Sequence, residues 1–256
     1  MGKPDTGSGH RSAQRSDVRR PVALTKPPAS RWLAQILAVA LALCAFACPP
    51  IRALAMTMIV NGHQVSVSDM ILLADAGRFE ALISSHPEIK TVVLWDSPGG
   101  NGAERIGAII ESHNLDTAAY GYCISTCAMI FLAGTNRYFA DREPIALSSI
   151  GFHGAYDQNL NLISERGLQR VRSRVIERTG GKVSPDLLDR WLHLEDHQEV
   201  IAFRHPSLAD GRSHASVFYC KGNEPFTARF ERCEPIEGVD ALSSGIITSA
   251  TIYHVR

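Results

Sequence analysis

"TVVLWDSPGGNGAERIGAII", residues 91–110, is the stretch whose reading decides the fold. It opens on a continuous apolar run, 91–95, that ends in a turn, the pattern of a strand buried on both faces. Pro98 stiffens the turn, and Gly99-Gly100 leaves its backbone amides uncovered by side chains. A helix is expected from 101 to 114, with Ala103, Ile106, Ile109 and Ile110 on one stripe. Free amides where a strand feeds a helix suit a developing negative charge, so Gly99 and Gly100 are candidate oxyanion donors.

The same alternation continues outward. "DTAAYGYC" (116–123) reads as the next strand, and "STCAMIFLAG" (125–134) as an apolar helix stopped by Gly134. "RYFA" (137–140) and "PIALSSIGFHG" (144–154) read as strands. An amphipathic helix is expected around 162–178, and another from Ser184, its cap, with Pro185 in the first turn. Upstream, "TMIVNG" (57–62) reads as a short strand. A helix capped by Ser68 or Asp69 is expected after it, with Met70, Leu73, Ala74, Ala81 and Leu82 facing inward. Strands alternating with helices over 91–152 argue for an α/β fold. Residues 213–235 read instead as an added β-hairpin.

The formal charge is zero, but it is unevenly spread: residues 1–31 are net +5, which leaves the remainder net −5. A basic tail on an acidic body is not the footprint of a nucleic-acid binder, so no nucleic-acid partner is expected. The tail precedes "WLAQILAVALALCAFAC", Trp32 to Cys48, apolar apart from Gln35 and followed by Pro49-Pro50. Ala53 and Ala55 then form a small-x-small pattern. Basic region, apolar core and small-residue site read as a secretory signal over 32–55, or as an uncleaved membrane anchor through 32–48. Either reading places the chain in the bacterial cell envelope, periplasmic or anchored in the inner membrane facing the periplasm. A lipoprotein reading through Cys48 lacks the usual leucine-like residue three positions earlier. The expected organisation is a basic disordered tail (1–31), a signal or anchor (32–55) and one domain (56–256).

Cys123, Cys127, Cys220 and Cys233 lie beyond that segment. An even count in two close pairs suits an oxidising compartment, and the expected bonds are Cys123–Cys127 and Cys220–Cys233. Free buried thiols and a zinc site are the alternatives. A bond across the hairpin would contribute about 3 kcal/mol on the chain-entropy model.

Ser125 lies at a strand–turn–helix junction like that of Gly99-Gly100. A serine there is a helix cap or a nucleophile. His153, 28 residues on at the end of an expected strand, is the candidate base. The amide of Thr126 is a further candidate oxyanion donor.

"LWDSPGGNGAERIGAII", "CISTCAMIFLAGTNRYF" and "IGFHGAY" together resemble the Clp protease proteolytic-subunit family within the Clp/crotonase superfamily, and its exported bacterial branch most closely. The likeness covers about 57–180, and "GVDALSSGIITS" (238–249) resembles the family's late segment. It implies a ClpP/crotonase-like spiral of ββα units. It also implies Ser125 as nucleophile, His153 as base, and Gly99, Gly100 and the Thr126 backbone around the oxyanion. The family's third residue is an aspartate after the long helix. Asp196 is taken for it here, with Asp189 and Asp210 competing, and none has the family's surrounding pattern.

The expected activity is a serine peptidase or hydrolase of the envelope, acting on a peptide or protein. The superfamily also holds inactive members, so a binding or scaffold protein is the alternative. An acyl-CoA enzyme is disfavoured by export, and no cofactor or metal is expected. Relatives form rings or trimers, so a homo-oligomer is implied by the resemblance alone. Lys182 offers a serine–lysine dyad as a rival. His193 and His197, one helical turn apart, offer a zinc pair.

Overall fold

The computed structural model describes residues 56–95, 100–157, 159–209 and 215–256. The tail, the 32–55 segment, Gly99 and Asp210 lie outside the described residues.

Two five-stranded sheets carry the fold. In the first, β1 (Thr57–Asn61) turns through Gly62, at φ +59°, into antiparallel β2 (Gln64–Ser68). β2, β3 (Thr91–Trp95), β4 (Asp116–Tyr120) and β6 (Arg137–Phe139) then run parallel in that order. In the second, β5 (Tyr122–Ile124) pairs in parallel with β7 (Ser149–Phe152). β8 (Val200–Phe203), β9 (Val217–Cys220) and β10 (Glu234–Pro235) follow antiparallel. The helices are α1 (Asp75–Ser85), α2 (Ala103–Ser112), α3 (Thr126–Phe131), α4 (Glu165–Arg178) and α5 (Pro185–Leu192).

Successive units give one strand to each sheet and then a helix: β4, β5 and α3, then β6, β7 and α4. This is the α/β, ClpP/crotonase-like spiral of ββα units. β3 is buried over Thr91–Leu94, as its apolar run requires, and α2 buries Ala103, Ile106, Ile109 and Ile110. The hairpin is present as β9 and β10, and it widens the second sheet rather than standing apart. Ser164 and Ser184 cap α4 and α5, their hydroxyls accepting from Gly167 N at 3.4 Å and Leu187 N at 3.2 Å.

Three local expectations are corrected. Stretch 116–123 is two strands, because Gly121, at φ +65°, turns the chain from one sheet into the other. Neither Ser68 nor Asp69 caps a helix. The alternating "QVSVS" forms β2, and the helix begins only at Asp75, whose buried carboxylate accepts from Leu72 N at 2.8 Å and from Arg78 at 2.7 Å. Its inner face is therefore Ala76, Phe79 and Ile83, and Met70 and Leu73 stay half exposed. Residues 144–148 are not strand: a 3₁₀ turn over Ile145–Leu147 precedes β7.

Phe152 at the end of β7 stacks on Trp191 of α5 at 4.4 Å, and Phe203 of β8 meets both rings edge-on. That aromatic block holds the end of β7 from which His153 projects.

Candidate active site

β5 ends at Ile124 and α3 begins at Thr126, so Ser125 alone makes the turn, with φ +63° and ψ −121°. A non-glycine residue held there costs about 1–3 kcal/mol and persists only when its surroundings impose it. They do so here. Ser125 N–H donates to Gly151 O at 2.9 Å, and Ser125 O accepts from Met129 N at 3.1 Å. Cys123 in β5 and Cys127 in α3 are both fully buried and bonded to each other across the turn. The chain leaves the helix at Ser125, which is why two cysteines four apart can meet. The Ser125 hydroxyl makes no capping bond, so it is not spent on the helix. A serine raised on a sharp strand-to-helix turn is the geometry of a nucleophile elbow.

The parallel register Ile124↔Gly151 brings Ser125 and His153 to the same end of neighbouring strands. Ligands bind beyond the carboxyl ends of parallel strands for this reason. Both side chains line a cavity of about 690 Å³ with Tyr122, Ile124, His197 and Phe226. Both also line a smaller one of about 200 Å³ with Thr126 and Tyr156. Among the described residues no hydrogen bond joins Ser125 Oγ to the His153 ring. Such bonds are often long without substrate and tighten in the complex.

His153 Nδ1 lies 2.6 Å from Gly154 O. A carbonyl only accepts, so Nδ1 carries the proton and Nε2 keeps its lone pair. Burial holds the ring's pKa below the usual histidine value. The Gly154 bond opposes this, and the charge of His197 adds to it. The imidazole is therefore neutral at neutral pH, the state a general base needs.

Of the candidate carboxylates, the two among the described residues, Asp196 and Asp189, do not meet this ring. Asp196 Oδ1 accepts from Gln198 N at 2.9 Å and faces His197 Nδ1 at 3.5 Å. Asp189 pairs with Arg172 of α4. Gly154 O holds the position a carboxylate was expected to fill. Gly100 lines neither cavity. It lies against the Ile71–Leu72 loop, where an added Cβ would sit 2.0 Å from Ile71 O, so close approach is what requires glycine there. Thr126 N–H opens α3 in the smaller cavity. Lys182 is exposed and lines neither cavity. The histidine pair is split: His197 lines the larger cavity, and His193 Nδ1 lies on Asp189 O at 2.9 Å.

The sequence reading missed the residues that shape the space. Tyr122 meets Phe226 edge-on at 4.8 Å. Phe226 sits on the 221–233 loop between β9 and β10, closed at its base by Cys220–Cys233. The sulfur pairing signalled a closed loop, but nothing local told that it folds over Ser125. On the other side of the smaller cavity a third space of about 430 Å³ opens. It shares Thr126, Met129, Tyr156 and Val171 with that cavity and is lined by Arg170, Arg174 and Arg178. Ser125 and His153 thus lie along a cleft with an aromatic arm and an arginine-lined arm.

The fold is ClpP/crotonase-like, and it carries a serine on a strand-to-helix elbow. No family model and no curated protein matches the chain. Among solved structures it is similar to ClpP1 from Listeria monocytogenes, with 14% identity, a TM-score of 0.44, and coverage of 76% of this chain and 92% of that one. It is also similar to a membrane-bound stomatin-specific protease solved with a substrate peptide, with 14% identity, a TM-score of 0.37, and coverage of 53% and 68%. A third is a putative enoyl-CoA hydratase from Streptomyces coelicolor, with 11% identity, a TM-score of 0.37, and coverage of 62% and 65%.

Proposed function

We propose that this chain is a serine hydrolase that cleaves peptide bonds in the bacterial cell envelope. The observation that carries the reading is Ser125 held at φ +63° and ψ −121° in a cavity it shares with His153. A residue placed there by two backbone bonds and a disulfide, its hydroxyl uncommitted among the described residues, is an outlier that local folding does not need.

In this mechanism His153 Nε2 takes the Ser125 Oγ proton as Oγ bonds to the substrate carbonyl carbon. The carbonyl π electrons move to its oxygen, and Thr126 N–H donates to that oxyanion. Collapse expels the amine, which takes the proton from Nε2. Water then repeats the sequence and frees the acyl group. Each amide aimed at the oxyanion is worth about 3–4 kcal/mol of barrier. Gly154 O keeps the imidazole in its working tautomer, a task a carbonyl performs without a carboxylate's charge.

The envelope assignment is supported by the basic–apolar–small pattern of residues 1–55 and by the two disulfides, which persist in oxidising compartments. Among the described residues no helix is long and apolar enough to cross a membrane.

One experiment addresses both parts. A fluorophosphonate probe applied to bacterial envelopes is expected to label the wild-type chain and not Ser125→Ala, and sequencing of the labelled protein is expected to begin at Met56. Recovery from the soluble cytosol sinks the export reading. Labelling of neither protein sinks the hydrolase reading. The catalytically silent scaffold, favoured by the absence of a carboxylate on His153 among the described residues, then takes its place.

A further inference from the structure

We propose that the arginine-lined arm of the cleft binds a carboxylate of the peptide substrate through Arg170. The proposal rests on the peptidase reading for the identity of the ligand, but its evidence is separate.

α4 is a strongly basic element on an acidic body: Arg166, Arg170, Arg172, Arg174 and Arg178 face only Glu165 and Glu177 on the same helix. Three of the five arginines are paired with acids on neighbouring helices. Arg172 pairs with Asp189 of α5, Arg174 with Glu104 of α2 at 2.8 Å, and Arg178 with Glu111 of α2 at 2.6 Å. Arg178, Arg174 and Arg170 recur every four residues, so they stand on one face of the helix. Glu111 and Glu104 supply the first two rungs of a ladder between α4 and α2. α2 supplies no third rung: it begins at Ala103, and Glu104 is its first acid. Among the described residues Arg170 has no hydrogen-bond or ion-pair partner.

Arg170 is exposed, and it also lines a concave space, that of 430 Å³, with Glu104, whose charge Arg174 already meets. The space shares Thr126 with the cavity of Ser125 and His153. A peptide lying through Ser125 thus extends one end toward a guanidinium with free donors. A planar fork of N–H groups matches a carboxylate in two parallel hydrogen bonds. The carboxylate is either the chain terminus or an Asp or Glu side chain, and both present the same two oxygens.

The test measures binding, so it does not depend on turnover. Full-length Ser125→Ala is titrated with fluorescent pentapeptides that share one central Leu. They differ in carrying Glu or Gln two residues to one side or the other, and a free or amidated carboxyl end. The expected result is about five- to thirty-fold tighter binding of one carboxylate-bearing form over its neutral isostere. The Glu/Gln arm and the acid/amide arm identify which source of carboxylate is read. Arg170→Met is expected to erase the preference, Arg170→Lys to retain part of it, and raising salt from about 0.05 M to about 0.5 M to shrink it. The melting temperature of Arg170→Met should match that of its parent, since the side chain holds no other group among the described residues. Equal affinity for acid and isostere overturns the proposal, as does a preference that survives in Arg170→Met. So does inorganic phosphate binding that Arg170→Met abolishes while the peptides show no preference. A failure of fluorophosphonate labelling bears on the hydrolase reading alone, because the binding preference is read in a chain without the nucleophile.

Discussion

Replacing His153 with Ala is expected to lower peptide or ester turnover by about 10⁴-fold or more, because loss of the base disables the nucleophile as completely as loss of the nucleophile itself. In the proposed mechanism the ring is the base: the β5–β7 register puts it at the same end of neighbouring strands as Ser125, and its Nε2 is the atom left without a proton. A pH profile of kcat/KM checks the same assignment. Activity requires the neutral ring, and burial lowers the ring's pKa from 6.5. The sign follows: activity is lost as pH falls through that lowered value and is regained as pH rises above it. A rising limb centred at or above 7 contradicts the account. Asp196→Asn separates the carbonyl from the carboxylate as the ring's orienting partner. With Asp196 engaged by Gln198 N–H and facing His197, the substitution is expected to change turnover by less than about three-fold, against about 10⁴ for a true triad aspartate. A loss of that larger size would place Asp196 on the ring in the working enzyme and refute the role given to Gly154 O.

The order of the fold is readable in the sequence where local chemistry and tertiary structure agree. Residues 91–94 of the apolar run 91–95 are buried, as their composition says, and Trp95 at its end is exposed. Ser184 caps its helix as expected, because its hydroxyl reaches the amide three residues on. That Ser125 and His153 share one end of the second sheet was legible, because each follows a strand, and strands that are parallel neighbours end at the same level. β2 was lost because its five residues, which include buried Gln64, abut apolar residues that mimic the start of a helix. Gly121 looked like one residue of a strand, since its positive φ has no sequence signature beyond the glycine itself. Phe226 and Arg170 reach the cleft from elements 101 and 45 residues beyond Ser125, and no local pattern carries that information. Asp196 was drawn from the family's order of residues, whereas its side chain is committed to its own loop.

Arg137→Met is expected to cost about 3–5 kcal/mol of stability, the largest loss among single substitutions away from the cleft. Arg137 opens β6 and is 6% exposed, yet no carboxylate meets it among the described residues. Its three donor nitrogens end on backbone carbonyls: Nε on Ile246 O at 2.9 Å, Nη1 on Gly134 O at 2.8 Å and Nη2 on Gly245 O at 2.8 Å. Burial, with the nearby charge of Arg178, lowers its pKa to about 10, so it remains charged at neutral pH. The backbone adds a fourth tie, Arg137 N–H to Thr248 Oγ1 at 2.8 Å. Gly134 follows α3, so the guanidinium links the end of the helix that begins beside Ser125 to the carboxyl-terminal segment. Methionine fills much of the volume but donates nothing, and three carbonyls shielded from water would lose their partners, each at about 1–3 kcal/mol before relaxation. Lysine keeps the charge but offers a point ammonium that cannot span three directions, so Arg137→Lys should recover only part of the loss. For a body of about two hundred residues the methionine variant should melt about 10 °C lower, read by calorimetry with both disulfides intact. A shift below about 2 °C would mean that the carbonyls find other donors and that this arginine does not hold the carboxyl-terminal segment against the spiral.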